Sequence, residues 1–273
     1  MSKLLDYQDR ISVMSWAALF TLAAGSLMRW PEWSFTWWVL GSPITLAVDQ
    51  VVITSIILAA IACSGTEAVI HSHPLALRVR LRHTWMHWGL PATILVLAEI
   101  LMPAMPSRTY VVGEILLAGL LLAIAEIAIY HTLAPDDPRY RLARIALNAV
   151  AYTVALVLFL LVYRTRVRSL LSATLIASVS ALLALELLRG LSERVSDIIL
   201  YAAITGAILG EATWALNYWR TTSYIAGLLL LLLFYLIVGL GQHALLRRLT
   251  KRVLFEYATI AAIGVLFIGW LAS

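Results

Sequence analysis

The chain has 273 residues, of which 62% are hydrophobic and only 13% charged, and a soluble domain of that size needs about twice that charge to cover its surface. A water-soluble globular fold is therefore excluded, and lipid is the solvent that the composition fits. The net charge of +5 does not indicate nucleic acid, because the arginines sit in short loops beside apolar runs, where they set orientation and meet anionic lipid.

Nine apolar runs reach the length of about 20 residues that a bilayer requires. They predict helices over 11–29, 43–63, 84–104, 109–131, 143–163, 167–188, 195–216, 222–245 and 253–272. The first run follows Lys3 and Arg10 as the core of a signal peptide would. It is long, however, and its flank also carries Asp6 and Asp9, so it is expected to be retained as a helix. From Pro31 to Leu40 the tryptophan-rich chain reads as an amphipathic segment lying in the outer interface. Cys63, the one cysteine, lies inside the second run, so no intrachain disulfide can form. The expected fold class is all-α: a polytopic transmembrane helical bundle of about nine helices, built as a single integral membrane domain over 1–273.

Charge sets the expected orientation. With the N-terminus inside, the inner segments hold fourteen of the 20 Lys and Arg residues and the outer ones six, the asymmetry of an N-inside, C-outside chain. The weak point is the turn carrying Arg164, Arg166 and Arg168 on the outer side. Trp30, Trp33, Trp37, Trp38, Trp214, Trp219 and Trp270 fall on the expected outer face, whereas Trp16, Trp85 and Trp88 lie near inner helix ends. Indole prefers the headgroup level, so these belts support span boundaries more than orientation. The expected location is the bacterial cytoplasmic (inner) membrane.

Two constellations offer chemistry. Five of six histidines (His71, His73, His83, His87, His131) cluster by two successive inner loops, and His83 and His87 are four apart, on one face of the third helix. With His71, His73 and Glu67 nearby, they suggest metal or haem ligands; the alternative is that histidine sits well at a membrane interface. Asp49 lies six residues below the outer end of the second helix, and Glu99, Glu114 and Glu211 each lie about five residues from the outer ends of theirs. At 1.5 Å per residue all four sit roughly 8 Å deep, an acidic vestibule for a cation or proton, or carboxylates near enough to the headgroups to reach water, Arg108 or Arg220. Glu211, Trp214 and Asn217 share a helical face through i, i+3 spacing and are expected to meet another helix, a headgroup or a ligand.

Other signals are faint or missing. The Arg78-Val-Arg80 and Arg139-Tyr-Arg141 pairs recur 61 residues apart, yet every inner loop must be basic in any case. No Gly-x-Ser-x-Gly, phosphate-binding glycine loop or His-Glu-x-x-His occurs. At mid-depth the runs offer no charge and only weak candidates for a helix break, such as Gly89 with Pro91, Gly206 with Gly210, and Gly239 with Gly241. Coupled transport at the midplane loses weight accordingly.

The stretch Gly65-Thr-Glu67-Ala-Val-Ile-His71-Ser-His73-Pro74, then His83-Thr-Trp85-Met-His87-Trp88, with Glu211 to Trp219 and Phe234 to Tyr257, resembles a group of uncharacterised bacterial multi-pass membrane proteins. The resemblance covers most of the chain and implies a membrane bundle, but no residue role. Three readings stay open. The first is a non-catalytic scaffold or accessory subunit whose partners are the lipid bilayer and other membrane protein subunits, with no cofactor. The second is a small permease or lipid-handling protein using Asp49, Glu99, Glu114, Glu211 and Asn217 as its ligand-binding entrance. The third is an inner-face metal or haem enzyme using His71, His73, His83 and His87.

Overall fold

The structure is a computed structural model describing residues 2–28, 31–39, 42–78, 83–165, 169–192, 194–218 and 222–272. Arg29, Trp30, Arg80, Arg82, Arg166, Arg168, Trp219 and Arg220 lie outside the described residues.

The fold is an all-α bundle. In chain order it comprises α1 (Ser2–Leu27), β1 (Trp33–Val39), β2 (Ser42–Val48), α2 (Gln50–Ser72), α3 (Pro74–Arg78), α4 (Gly89–Leu101), α5 (Arg108–Thr132), α6 (Tyr140–Thr165), α7 (Ser169–Leu188), α8 (Val195–Tyr218), α9 (Ser223–Leu245) and α10 (Lys251–Ala272). Single 3₁₀ turns at Thr84–His87 and Met102–Ala104 flank α4. Among the described residues eight helices are long and apolar enough to cross a membrane, and α7, where the sixth span is expected, contributes a shorter apolar stretch over Ser172–Leu188. The chain is a membrane protein by this measure.

Several boundaries differ from the sequence reading: α1 starts at Ser2 rather than 11, and α4 proper covers only Gly89–Leu101 of the expected 84–104. Residues 43–48, expected to open the second helix, are instead a strand: β2 pairs with β1 in an antiparallel hairpin in which Trp33 faces Val48 and Phe35 faces Leu46. The start of α2 moves with it, from 43 to Gln50. An apolar window cannot separate a strand from a helix, and here Asp49 decides the boundary. Its Oδ1 accepts the Val52 amide at 3.0 Å, the bond of a helix N-cap. Asp49 therefore opens α2 and does not lie six residues inside it. The helix then runs on to Ser72 and takes Glu67 and His71 into its last turns.

The chain divides into two compact units, Met1–Leu147 and Asn148–Ser273. In the first, α1, α2, α4 and α5 pack around Met14, Ala18 and Leu22, Leu58 and Ala62, Leu95 and Ala98, and Ala118 and Leu122. The spacing of three or four residues on each helix aligns these side chains as one stripe. Water drives no such association within lipid, so close approach of small residues carries it. A Cβ on Gly65 would overlap the Met14 side chain, and one on Gly119 would stand 2.7 Å from Leu19. Pro91 is accommodated at the third residue of α4, in the first turn, where helical amides have no partner within the helix.

The second unit follows the same rule. Gly206 and Gly210 of α8 press on Ala177 and Ala173 of α7; a Cβ on Gly206 would stand 2.5 Å from the Ala177 carbonyl oxygen. The Tyr163 hydroxyl of α6 donates to the Thr213 carbonyl at 3.0 Å, and the Ser223 hydroxyl donates to the Tyr163 carbonyl at 3.1 Å. These two bonds tie α6, α8 and α9 together. At the end of α7, Arg189 pairs with the buried Glu186 at 2.6 Å.

Candidate functional site

The first unit gathers ionisable groups at both ends of its four long helices. At the hairpin end, Glu99 sits two residues before the close of α4, and Glu114 lies six residues into α5, about 9 Å from its start. The short link through Met102–Ala104 and Ser107 reverses the chain, so the two carboxyls approach from adjacent helices. Glu99 is 2% exposed, and its Oε2 has no hydrogen-bond partner. Both oxygens of Glu114 are likewise buried without one.

Their surroundings are sparse in donors. The Thr54 hydroxyl of α2 hydrogen-bonds Glu99, and Asp49 and Glu114 are close enough to act on the site electrostatically. Gln50 is already engaged, donating to the Gly25 carbonyl of α1. Gly25 leaves the space in which the Glu99 carboxyl lies. As two anions the pair would face desolvation and mutual repulsion with no cation opposite among the described residues, which is a high cost in a low-dielectric interior. Sharing a proton removes that cost.

Of the carboxylates singled out in the sequence, the structure brings Asp49, Glu99 and Glu114 together. Glu211 belongs to the second unit, where it and Trp214 are exposed on α8. Asn217 donates its amide to the Ser172 hydroxyl of α7 at 3.1 Å.

The four histidines are not brought into one site. His71, on α2, is exposed and lies 3.0 Å from Glu67. His73 is buried against Tyr130, ring centroids 4.7 Å apart, and its Nδ1 accepts the Leu75 amide. His83 is exposed with φ 67°, ahead of the 3₁₀ turn that His87 closes. Since α4 starts only at Gly89, the spacing of four does not put His83 and His87 on one α-helical face. Among the described residues no three His, Cys, Asp or Glu side chains converge as a metal site.

Sequence reasoning missed three arrangements at this histidine end. Glu67 is a hub: its oxygens accept the Thr84 hydroxyl and the Trp88 indole N–H, each at 3.0 Å, beside His71. Tyr7 of α1 stacks on Tyr130 of α5 at 4.1 Å. Thr66 of α2 donates to Glu126 of α5 at 2.5 Å, with both side chains 0% exposed. An ionisable residue inside a span was signal enough for Glu126. It lies only six residues from the end of α5, a depth at which a carboxylate is as readily taken for a helix-exit residue.

In the last turn of α5, His131 Nδ1 lies 2.8 Å from Asp137 Oδ2, and the other Asp137 oxygen accepts the Arg139 amide at 2.7 Å. The His131 bond holds the Asp137 carboxyl below its ordinary range, against the opposing effect of burial. Burial pushes the His73 imidazole below its ordinary value, with the Asp137 carboxylate opposing and His131 adding to the shift.

The profile of a family described as "Protein of unknown function (DUF5656)" matches residues 30–271. Glu99, Glu114, Thr66 and Glu126 fall inside the match, while Gly25 and the rest of α1 precede it. Comparison with curated proteins and with solved structures finds no match.

Proposed function

The chain belongs to the DUF5656 family, and from that premise we propose that it is a small proton permease. In this reading it crosses the bacterial cytoplasmic membrane several times with its N-terminus inside, and the Glu99–Glu114 pair takes up protons from the outer side. It is not an enzyme, and it needs no cofactor.

One observation carries the reading: three carboxyl oxygens of Glu99 and Glu114 are buried without a hydrogen-bond partner on adjacent helices. A purely structural subunit gains nothing by keeping such a pair, since apolar side chains of similar volume pack there at no electrostatic cost. Intramembrane ionisable groups mark ion and proton paths for the same reason. The choice of a proton over a metal cation follows from ligand supply. Hard cations take six or more oxygens, and among the described residues the other polar side chains identified at this site are Thr54, Asp49 at the helix start and Gln50, which is committed to Gly25.

The test is proton flux. Purified protein in lipid vesicles with an internal pH-sensitive dye, driven by a valinomycin-set potassium potential, should acidify the lumen. The Glu99→Gln, Glu114→Gln double variant should show only the leak of protein-free vesicles while keeping its chromatographic profile. Absence of wild-type flux, or full flux in the variant, would reject the reading.

A further inference from the structure

Twelve residues beyond Glu114 on the same helix, Glu126 presents a second carboxyl that the proton-uptake site does not use. It is 0% exposed and accepts the hydroxyl of Thr66, also 0% exposed, at 2.5 Å. Thr54 and Thr66 are likewise twelve residues apart on α2, and each serves one carboxyl, Glu99 and Glu126 respectively. Twelve helical residues are about 18 Å. The bundle therefore carries two threonine-bonded carboxyl sites at two depths.

Between them lies a cluster of buried leucines and alanines. Leu22 of α1, Leu58 of α2, Leu95 of α4 and Leu122 of α5 are each 0% exposed and pack as one cluster with Ala62 and Ala118. Packed leucines hold no water, and a dry constriction blocks ion passage until it is wetted. Below Glu126 the chemistry turns polar again. His131 follows five residues later, about 7.5 Å along α5, and pairs with Asp137, whose side chain is 18% exposed.

We propose that Glu126 with Thr66 is a second proton-binding station, closed off from the Glu99–Glu114 pair by a hydrophobic gate of Leu22, Leu58, Leu95 and Leu122. The His131–Asp137 pair is its outlet. The proposal rests on the permease reading above. One proton leaves a Glu99 or Glu114 carboxyl, crosses when the leucine layer admits water, and binds the Glu126 carboxylate. It then passes to the His131 ring and on to water beside Asp137. The chain ends the cycle unchanged, and nothing is oxidised or reduced.

Two measurements decide it. In the vesicle assay Glu126→Gln should lose flux to the protein-free level, and Leu58→Ser or Leu122→Ser, which wet the gate, should raise flux above wild type. Infrared difference spectra between acid and alkaline pH should contain a carboxylic-acid carbonyl band that vanishes in Glu126→Gln. That band should shift in Thr66→Val, which removes the hydroxyl donor. Full flux in Glu126→Gln overturns the station while leaving the permease reading in place, and so does a carbonyl band indifferent to Thr66. Unchanged flux in both serine variants overturns the gate. A wild type without flux rejects the permease reading, and the Thr66-sensitive band then decides the station by itself.

Discussion

A Cβ atom on Gly25 of α1 would stand 3.2 Å from one carboxyl oxygen of Glu99 on α4 and 3.4 Å from the other, with Thr54 Cγ2 at 3.0 Å. The absent side chain is what lets the buried carboxyl fit. Gly25→Val should push α1 from its neighbours, cost about 1–3 kcal/mol and lower proton flux. Gly113→Ala, one residue from Glu114 but with nothing within 4 Å of its Cβ, should leave flux intact. It should raise stability by up to about 1 kcal/mol through helix propensity. Thermal unfolding in detergent, paired with the vesicle assay, checks both.

Glu67 holds the turn before α4 to α2. Glu67→Leu leaves the Thr84 hydroxyl and the Trp88 indole without their acceptor, a loss of about 1–3 kcal/mol. Hydrogen exchange should speed up over residues 84–88 and stay unchanged in the second unit. Uniform acceleration along the chain would contradict a local role.

Acid should loosen the histidine end in two steps. His73 and Asp137 both have folded-state pKa values below their ordinary 6.5 and 3.8. In each case the unfolded chain binds the proton more readily than the folded one. Stability is therefore full above the ordinary value and falls as pH drops below it, from about 6.5 for His73 and from about 3.8 for Asp137. Thermal unfolding followed across pH should show both losses. His73→Asn, which keeps an acceptor for the Leu75 amide, should erase the upper one.

The α7–α8 contact is expected to be the least tolerant in the second unit. Gly206→Val must displace the backbone at Ala177, and overpacking of this kind costs about 1–3 kcal/mol or more. Gly269→Ala on α10, where nothing lies within 4 Å, is the neutral control. Comparable melting of the two variants would show that α7 and α8 are free to separate.

The proposed orientation puts the turn at Thr250 inside. In a Cys63→Ser background, Thr250→Cys should escape membrane-impermeant maleimide added to intact cells and react after permeabilisation. Labelling from outside would invert every helix end and reverse the direction of proton entry.

Much of this protein was legible without its tertiary structure. Lipid demands long apolar helices with polar breaks, so composition and run length were enough for the membrane bundle, and most expected helix ends from α5 onward fell within two or three residues of the observed ones. The hairpin was not legible, because apolar content over Pro43–Val48 suits a strand as well as a helix, and the Asp49 cap that decides between them is a local bond. Glu99 and Glu114 stood out as charges within spans. That they approach from adjacent helices with three of their four oxygens lacking a hydrogen bond, that Gly25 makes room for Glu99, and that Thr66 meets Glu126 from 60 residues away were decided by helix packing alone, since sequence records the depth of a residue along its own helix but not which neighbour it turns toward.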